Sequence, residues 1–154
     1  MKHTNKKGFT LIEVLIVIAI IGILSSIVLV GLGGFRGRGR DARRISDLRQ
    51  VQNALELYFS KEGAYPDSTD WDDLADVLRN AAIGVTNIPK DPTASQSYGY
   101  CREGSSYILA AKLEDTGNPS LKDQEGATFI GCSPGDFSSG DCTNPSSGIY
   151  CIQL

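Results

Sequence analysis

The chain has 154 residues, a formal net charge of −3 at pH 7 and a composition that is 41% hydrophobic and 21% charged. This length allows one modest domain plus an anchor and excludes a large hydrophobic core. The only histidine is His3, and the sequence contains neither a Gly-x-Ser-x-Gly elbow nor a phosphate-binding loop. We therefore predict no catalytic site and no cofactor, and we do not expect an enzyme.

The N-terminal segment combines a basic start with a long apolar run. Residues 9–35 form 27 positions in which Glu13 is the only charge. At about 1.5 Å per residue, such a helix is roughly 40 Å long, enough to cross a bilayer with tilt. A secretory signal peptide is cut after its apolar core. Here Gly8 precedes that core, so a cut beside it leaves the hydrophobic helix attached to the mature protein.

Residues 6–32, which include Lys7-Gly8-Phe9-Thr10 and Glu13, resemble the prepilin leader and N-terminus of type IV pilins and type II secretion pseudopilins. The resemblance implies that a prepilin peptidase removes residues 1–8, cuts between Gly8 and Phe9, and methylates the new amine of Phe9. It also implies that Glu13 acts in assembly, where its carboxylate neutralises the amine of a neighbouring copy. The alternative is a single-span membrane protein in which Gly8 and Glu13 are accidental.

An acid within an apolar helix independently draws attention to Glu13. Placing an acid in a membrane helix costs roughly 2.5–3.5 kcal/mol at the bilayer centre, and such residues are functional by default. After cleavage, the amine of Phe9 lies four residues away and is a possible partner within one helix. In a packed bundle an unpaired charge is costly, so pairing between copies favours one axial register.

A second helical pattern follows the apolar run. Apolar side chains spaced three or four apart predict one buried face, and they are Ala42, Ile45, Leu48, Val51, Leu55 and Phe59. Charged and polar residues mostly occupy the other face, and we place Arg44 among them. Gly63 and Pro66 are typical of a helix end. The pattern predicts one long helix, or two joined by a glycine-rich kink, from Phe9 to about Lys61.

The charges of the chain are unevenly distributed. Residues 36–50 contain six arginines and two aspartates, whereas residues 51–154 contain six bases and fifteen acids. The basic segment is typical of a collar at lipid headgroups below an acidic head, and contact between the two charge zones of neighbouring subunits is the alternative. Because basic residues flank the apolar run on both sides, the positive-inside rule leaves the orientation of the helix in the membrane ambiguous.

The remaining segments predict a small antiparallel sheet. A capped start at Thr69-Asp70-Trp71 predicts a short helix ending near Ala82, and 88–92 is an extended connector that resembles the corresponding stretch of major pseudopilins. Four strands are predicted, at 98–101, 107–113, 128–132 and 149–154, with a hairpin turn at 102–105. The predicted fold class is therefore α+β, and the resemblance implies a pilin-like arrangement with a leader over 1–8, a transmembrane or filament-core helix over 9–35 and a globular head over 36–154.

Four cysteines lie in the last third of the chain, and they are Cys101, Cys132, Cys142 and Cys151. Their even number and the absence of a zinc-binding pattern predict two disulfides in an oxidising compartment. Four cysteines allow three pairings, with a weak preference for the sequential one. The cysteines also place the head outside the cytoplasm.

Metal and nucleic-acid sites are not predicted. Asp115, Asn118 and Asp123 offer oxygen atoms to calcium, as a late loop does in the major pseudopilins that this chain resembles, but a solvated acidic loop explains them better. The arginine-glycine stretch 36–40 lacks interleaved aromatic residues, so direct binding of nucleic acid is not expected.

The resemblance implies a structural subunit of a type IV pilus-like helical filament. The precursor would sit in the cytoplasmic membrane with its N-terminus inside, and an assembly machine would move its helix into a homopolymer at the cell surface or in the periplasm. The cysteine-stapled C-terminus favours a pilin slightly. A major pseudopilin that serves protein export is the alternative, followed by a monomeric membrane-tethered binding module.

Overall fold

The structure, a computed structural model, describes residues 9–68, 70–122, 137, 142 and 144–154, without the side chains of 27–33 and 145. The chain divides into two compact units, Met1–Arg36 and Gly37–Leu154. We refer to the second as the head unit. Across the described residues, no helix combines the length and the apolar character that crossing a bilayer requires.

The long helix α1 extends over Leu11–Glu62 as one continuous element. It ends where the sequence predicts, since Gly63 follows with a φ of +75°, a conformation that glycine adopts without steric cost. In the head unit, the α1 side chains of Leu48, Val51 and Leu55 are fully buried. The predicted apolar face is wrong at its first and last positions, because Ala42 and Phe59 are exposed.

The short helix α2 spans Trp71–Asn80, two residues shorter than predicted. The side chain of Asp70 caps it by accepting a hydrogen bond from the backbone N–H of Asp73 at 2.8 Å. Trp71, Leu74 and Leu78 are buried as predicted, and the fourth buried position is Ala75 rather than Val77. The indole Nε1 of Trp71 donates to the carbonyl of Pro89 at 2.9 Å, which fixes the extended connector against α2.

Three described strands form one antiparallel sheet in the order β1-β2-β3. Their bounds are Gly99–Glu103 for β1, Ser106–Lys112 for β2 and Ile149–Gln153 for β3. A tight turn joins β1 to β2, and Gly104 takes a φ of +61° there, as a hairpin turn requires. The predicted strand at 128–132 lies outside the described residues.

The sheet is covered on both faces because successive side chains of a strand point to opposite sides. Tyr107, Leu109 and Ala111 of β2 join the main core with α1 and α2. Ile108 and Ala110 join a second cluster with residues near the C-terminus. A long N-terminal helix packed through its second half on a small antiparallel sheet confirms the predicted α+β, pilin-like class.

Candidate functional site

The first turn of α1 is a reciprocal hydrogen-bonded cap. The backbone N–H and the hydroxyl of Thr10 both donate to Glu13 Oε2 at 2.8 Å. The backbone N–H of Glu13 lies 3.4 Å from Thr10 Oγ1. This is a capping box, in which a threonine at the N-cap and a glutamate three residues later satisfy each other's unpaired groups. The carboxylate also lies at the positive end of the helix dipole, which stabilises its charge.

The capping box is a role for Glu13 that our sequence prediction missed. The signal was present, since Thr10-Leu11-Ile12-Glu13 matches the S/T-x-x-E pattern of such caps. The carboxylate of Glu13 is therefore held in a defined position, three residues after the cap and four residues from Phe9. Its proposed pairing with a Phe9 amine concerns the processed chain and remains a prediction.

The apolar side chains that follow the cap are not covered by the described residues of their own unit. Phe9 is 89% exposed, and the large apolar residues from Leu11 to Leu24 are all at least half exposed. A continuous apolar surface of this extent marks a site that contacts lipid or protein. This segment can therefore associate with a bilayer or with other helices of the same kind.

A second site lies inside the head unit and is built around Arg44, whose side chain is fully buried. Its Nε and Nη2 donate to the two carboxylate oxygens of Asp91 at 2.7 and 3.0 Å. Its Nη1 donates to Asp41 at 2.8 Å and to Glu114 at 2.9 Å. Its Nη2 also donates to the hydroxyl of Thr93 at 2.9 Å. A guanidinium has five N–H donors, so Arg44 has an acceptor for each.

We call this group the Arg44 cluster, and its members are Arg40, Asp41, Arg44, Asp91, Thr93 and Glu114. It connects three segments that are far apart in the sequence, namely α1, the extended connector and the end of β2. Asp41 adds to the connection because its two oxygens accept the backbone N–H groups of Glu114 and Asp115, each at 2.9 Å. The cluster therefore fixes α1 to both of the other segments.

Hydrogen bonds and charges within the cluster favour the charged forms of Arg40, Arg44 and Glu114. Hydrogen bonds from Arg40 and then Arg44 lower the pKa of Glu114 to about 2. Hydrogen bonding to Asp91 is the largest cause that raises the pKa of Arg44 above its ordinary value, against the opposing effect of burial. Arginine suits such a site because its planar fork binds carboxylates in a bidentate way and does not lose its proton.

The Arg44 cluster corrects two expectations from the sequence. Arg44 was predicted to lie on the solvated face of the helix, and it is fully buried instead. The reason is that two of its partners, Asp91 and Glu114, lie 47 and 70 residues away in the sequence, so no local pattern reveals them. The basic segment is also not simply a collar for lipid, since Arg38, Arg40 and Arg44 pair with acids of the same head unit.

Three of the four cysteines lie among the described residues, namely Cys101, Cys142 and Cys151. Cys142 and Cys151 form a disulfide with a Cα–Cα distance of 5.7 Å, which attaches β3 to the segment before it. Cys101 of β1 is also disulfide-bonded. Cys132 lies outside the described residues. The Cys142–Cys151 pairing agrees with the sequential arrangement that the sequence weakly favours.

The acidic loop after β2 is occupied by internal contacts. Asp115 accepts from the guanidinium of Arg38 at 3.2 Å and from the backbone N–H of Gly117 at 3.0 Å. The amide oxygen of Asn118 accepts from the backbone N–H of Ser120, and so starts a short 3-10 helix. Asp123 lies outside the described residues. Over the ranges that the structure describes, no three histidine, cysteine, aspartate or glutamate residues form a group suited to a metal ion.

An exposed apolar N-terminal helix with a capping-box glutamate, joined to a small helix-and-sheet unit, is the architecture of a pilin-like protein. Residues 3–29 match the family model described as the prokaryotic N-terminal methylation motif. Similarity to known proteins extends well beyond this motif into the head unit. The chain belongs to the family of type IV pilins and type II secretion pseudopilins.

Three relatives support this assignment. The chain is 30% identical to type II secretion system core protein G of Aeromonas hydrophila over 119 residues, 77% of this chain and 73% of the relative. It is 34% identical to the same-named protein of Vibrio cholerae over 114 residues, 68% of this chain and 77% of the relative. Identity to the type IV major pilin protein PilA of Myxococcus xanthus is 38%, but it covers 42% of this chain and 30% of that protein. No solved structure matches the chain.

Proposed function

We propose that this chain is the major pseudopilin of a type II secretion system, a filament subunit that serves protein export. The observation that carries the proposal is the extent of the similarity, which covers about three quarters of the core G protein of Aeromonas hydrophila and reaches past the apolar helix into the head unit. The similarity to the pilin PilA covers a much smaller part of that protein. These comparisons favour the pseudopilin over the pilus subunit that the cysteines suggested.

The exposed apolar segment supports a role in a filament. A membrane-anchored precursor would hold this segment in lipid, with the leader in the cytoplasm, and an assembly machine would transfer it into a bundle of identical helices. The driving force is the replacement of lipid contacts by helix packing, together with neutralisation of the Phe9 amine by Glu13. The head unit then lies on the filament surface, in the periplasm. We propose neither an enzymatic reaction nor direct binding of nucleic acid.

Deleting the gene should abolish export of the secreted proteins of the cell while leaving surface fibres unchanged. The test compares the culture supernatant and negatively stained cells of the deletion strain with those of a strain complemented in trans. Loss of surface fibres with normal export would contradict the pseudopilin proposal and favour the pilin. Normal export and normal fibres would favour a monomeric membrane-tethered binding module.

Processing at Gly8 should be visible in the intact mass of the mature protein. We expect loss of residues 1–8 and an added methyl group of about 14 Da on Phe9. The measurement is mass spectrometry of protein purified from membranes, before and after reduction, with a Gly8→Arg variant as the control that should retain its leader. An active protein that still begins at Met1 would contradict the proposed processing.

A further inference from the structure

One face of α1 is left uncovered by those parts of the head unit that the structure describes. We call it the outer face of α1, and it consists of Ala42, Ser46, Arg49, Asn53 and Leu57. These residues are spaced four, three, four and four apart, so they lie along one side of the helix. All five are exposed, whereas the opposite side of the helix is buried against the core. Small side chains at 42 and 46 allow another protein surface to approach the helix closely.

The outer face of α1 is basic because the acids of the same stretch have partners inside the head unit. Arg49 makes no hydrogen bond or ion pair with any residue that the structure describes. Arg43 flanks the face with its side chain 63% exposed and lies 3.7 Å from Asp47. Asp41 is held in the Arg44 cluster, the carboxylate of Asp47 accepts the buried hydroxyl of Tyr98 at 2.8 Å, and that of Glu56 accepts two tyrosine hydroxyls.

A surface of the opposite charge lies on α2. Its exposed side carries three acids, Asp72, Asp73 and Asp76, opposite the side that packs on the core. We call these three residues the acidic face of α2. Asp72 pairs with Lys90 and Asp76 with Arg79, in both cases between side chains that are largely exposed. The carboxylate of Asp73 has no cationic partner among the described residues.

No ion pair joins these two faces within one chain over the residues that the structure describes. We infer that the outer face of α1 in one copy docks against the acidic face of α2 in the next copy, with Arg49 and Asp73 at the contact. This inference rests on the proposed function. It adds to it a specific contact between the surfaces of neighbouring head units, distinct from the packing of the apolar helices.

The geometry of such a contact favours a filament over a closed dimer. In the proposed contact each copy uses its outer face toward one neighbour and its acidic face toward another, which makes the contact heterologous, and heterologous contacts that do not close produce an open helical array. Each added copy offers a new acidic face and a new basic face. The charge pair also favours one register, because shifting one copy would separate Arg49 from Asp73. The contact therefore helps to set how far one subunit rises above the next.

Charge reversal on the full-length chain tests the inference, with filament yield from membranes as the measurement. Arg49→Glu and Asp73→Arg should each lower the yield at least about fivefold, because each places like charges opposite one another. The double variant should recover most of the loss, since it restores the pair in the reverse order. Raising the salt concentration should weaken the contact between wild-type copies and relieve the repulsion in both single variants.

Two matched controls carry the same charge changes elsewhere on the head unit. Lys122→Glu and Glu103→Arg alter exposed residues outside both faces, and they should leave the yield near that of the wild type. Single variants that behave like these controls would overturn the inference, as would a double variant that is no better than the worse single one. A wild-type chain that forms no filament would instead contradict the proposed function, which keeps the two failures distinct.

Discussion

Replacing Arg44 by methionine should lower the free energy of unfolding of the head unit by about 3–5 kcal/mol, the usual cost of leaving buried charges without their partner. Methionine is apolar and leaves Asp41 and Asp91 without the guanidinium that both of them bind, and both side chains are almost fully buried. An effect of this size is a large fraction of the stability of a small domain. Arg44→Lys should be intermediate, because one ammonium has three donors where the guanidinium has five.

Trp71 provides a direct measurement of this prediction. It is the only tryptophan in the chain and lies in the core, 4% exposed, so its fluorescence reports unfolding of the head unit. We would follow urea denaturation of the full-length chain in detergent. The matched control is Arg43→Met, the adjacent arginine, which should cost less than about 1 kcal/mol because its side chain is 63% exposed and lies 3.7 Å from its partner Asp47. A loss below about 1 kcal/mol for Arg44→Met would show that the cluster does not stabilise the head unit.

Exchanging Glu13 for glutamine should reduce filament formation more than tenfold. A tenfold change requires the free energy of association to weaken by only about 1.4 kcal/mol. The variant separates the two roles that the structure and the proposed mechanism give this residue. Glutamine can still accept both hydrogen bonds from Thr10, so the capping box is kept. The negative charge is lost, which leaves the amine of Phe9 unneutralised in an apolar helical bundle, and such an unpaired charge is costly.

Thr10→Val is the complementary variant for Glu13→Gln. It removes the hydroxyl of the capping box, keeps the β-branched shape and leaves the carboxylate charged. We expect filament yield to fall only slightly, since losing a cap costs about 1 kcal/mol at one helix end. Yield is measured as sheared or membrane-extracted filaments, with intact mass confirming that both variants are processed. Normal filaments from Glu13→Gln would refute charge neutralisation, and a larger loss from Thr10→Val would assign Glu13 to the cap alone.

The two expected effects arise in different parts of the chain. The Arg44 cluster acts within one subunit and should appear in the stability of the isolated chain. The Glu13 carboxylate should leave that stability unchanged and appear only when copies associate. A variant that lowers filament yield without altering the unfolding transition of Trp71 therefore acts on assembly rather than on folding.

Much of the architecture could be predicted from the sequence because its signals are local. Helix α1 ends at Gly63, α2 begins at the cap of Asp70, and the hairpin turns at Gly104, each within a residue or two of the prediction. Caps, turns and hydrophobic periodicity depend on neighbours a few residues away, which a single sequence contains. The capping box at Thr10 and Glu13 is equally local, so the same reasoning could have predicted it.

The position of Arg44 could not be predicted in this way. The buried stripe of α1 continues from Leu55, Val51 and Leu48 back through Arg44 to Asp41, at steps of four and three residues. The sequence alone favoured the neighbouring apolar positions 42 and 45, because burying an arginine is unfavourable unless its donors are all paired. Only the fold brings Asp91 and Glu114 to those donors.

The sequence by itself determined the apolar helix, the glycine before it and the acid within it. These features depend only on the composition and spacing of residues along one continuous stretch. The tertiary structure decided which charges are paired inside the head unit and which remain at its surface. Arg44 and Asp41 have partners in the interior, whereas Arg49 and Asp73 have none among the described residues. That difference depends on distances between segments remote in the sequence, and it is the basis for assigning one set to stability and the other to contact between copies.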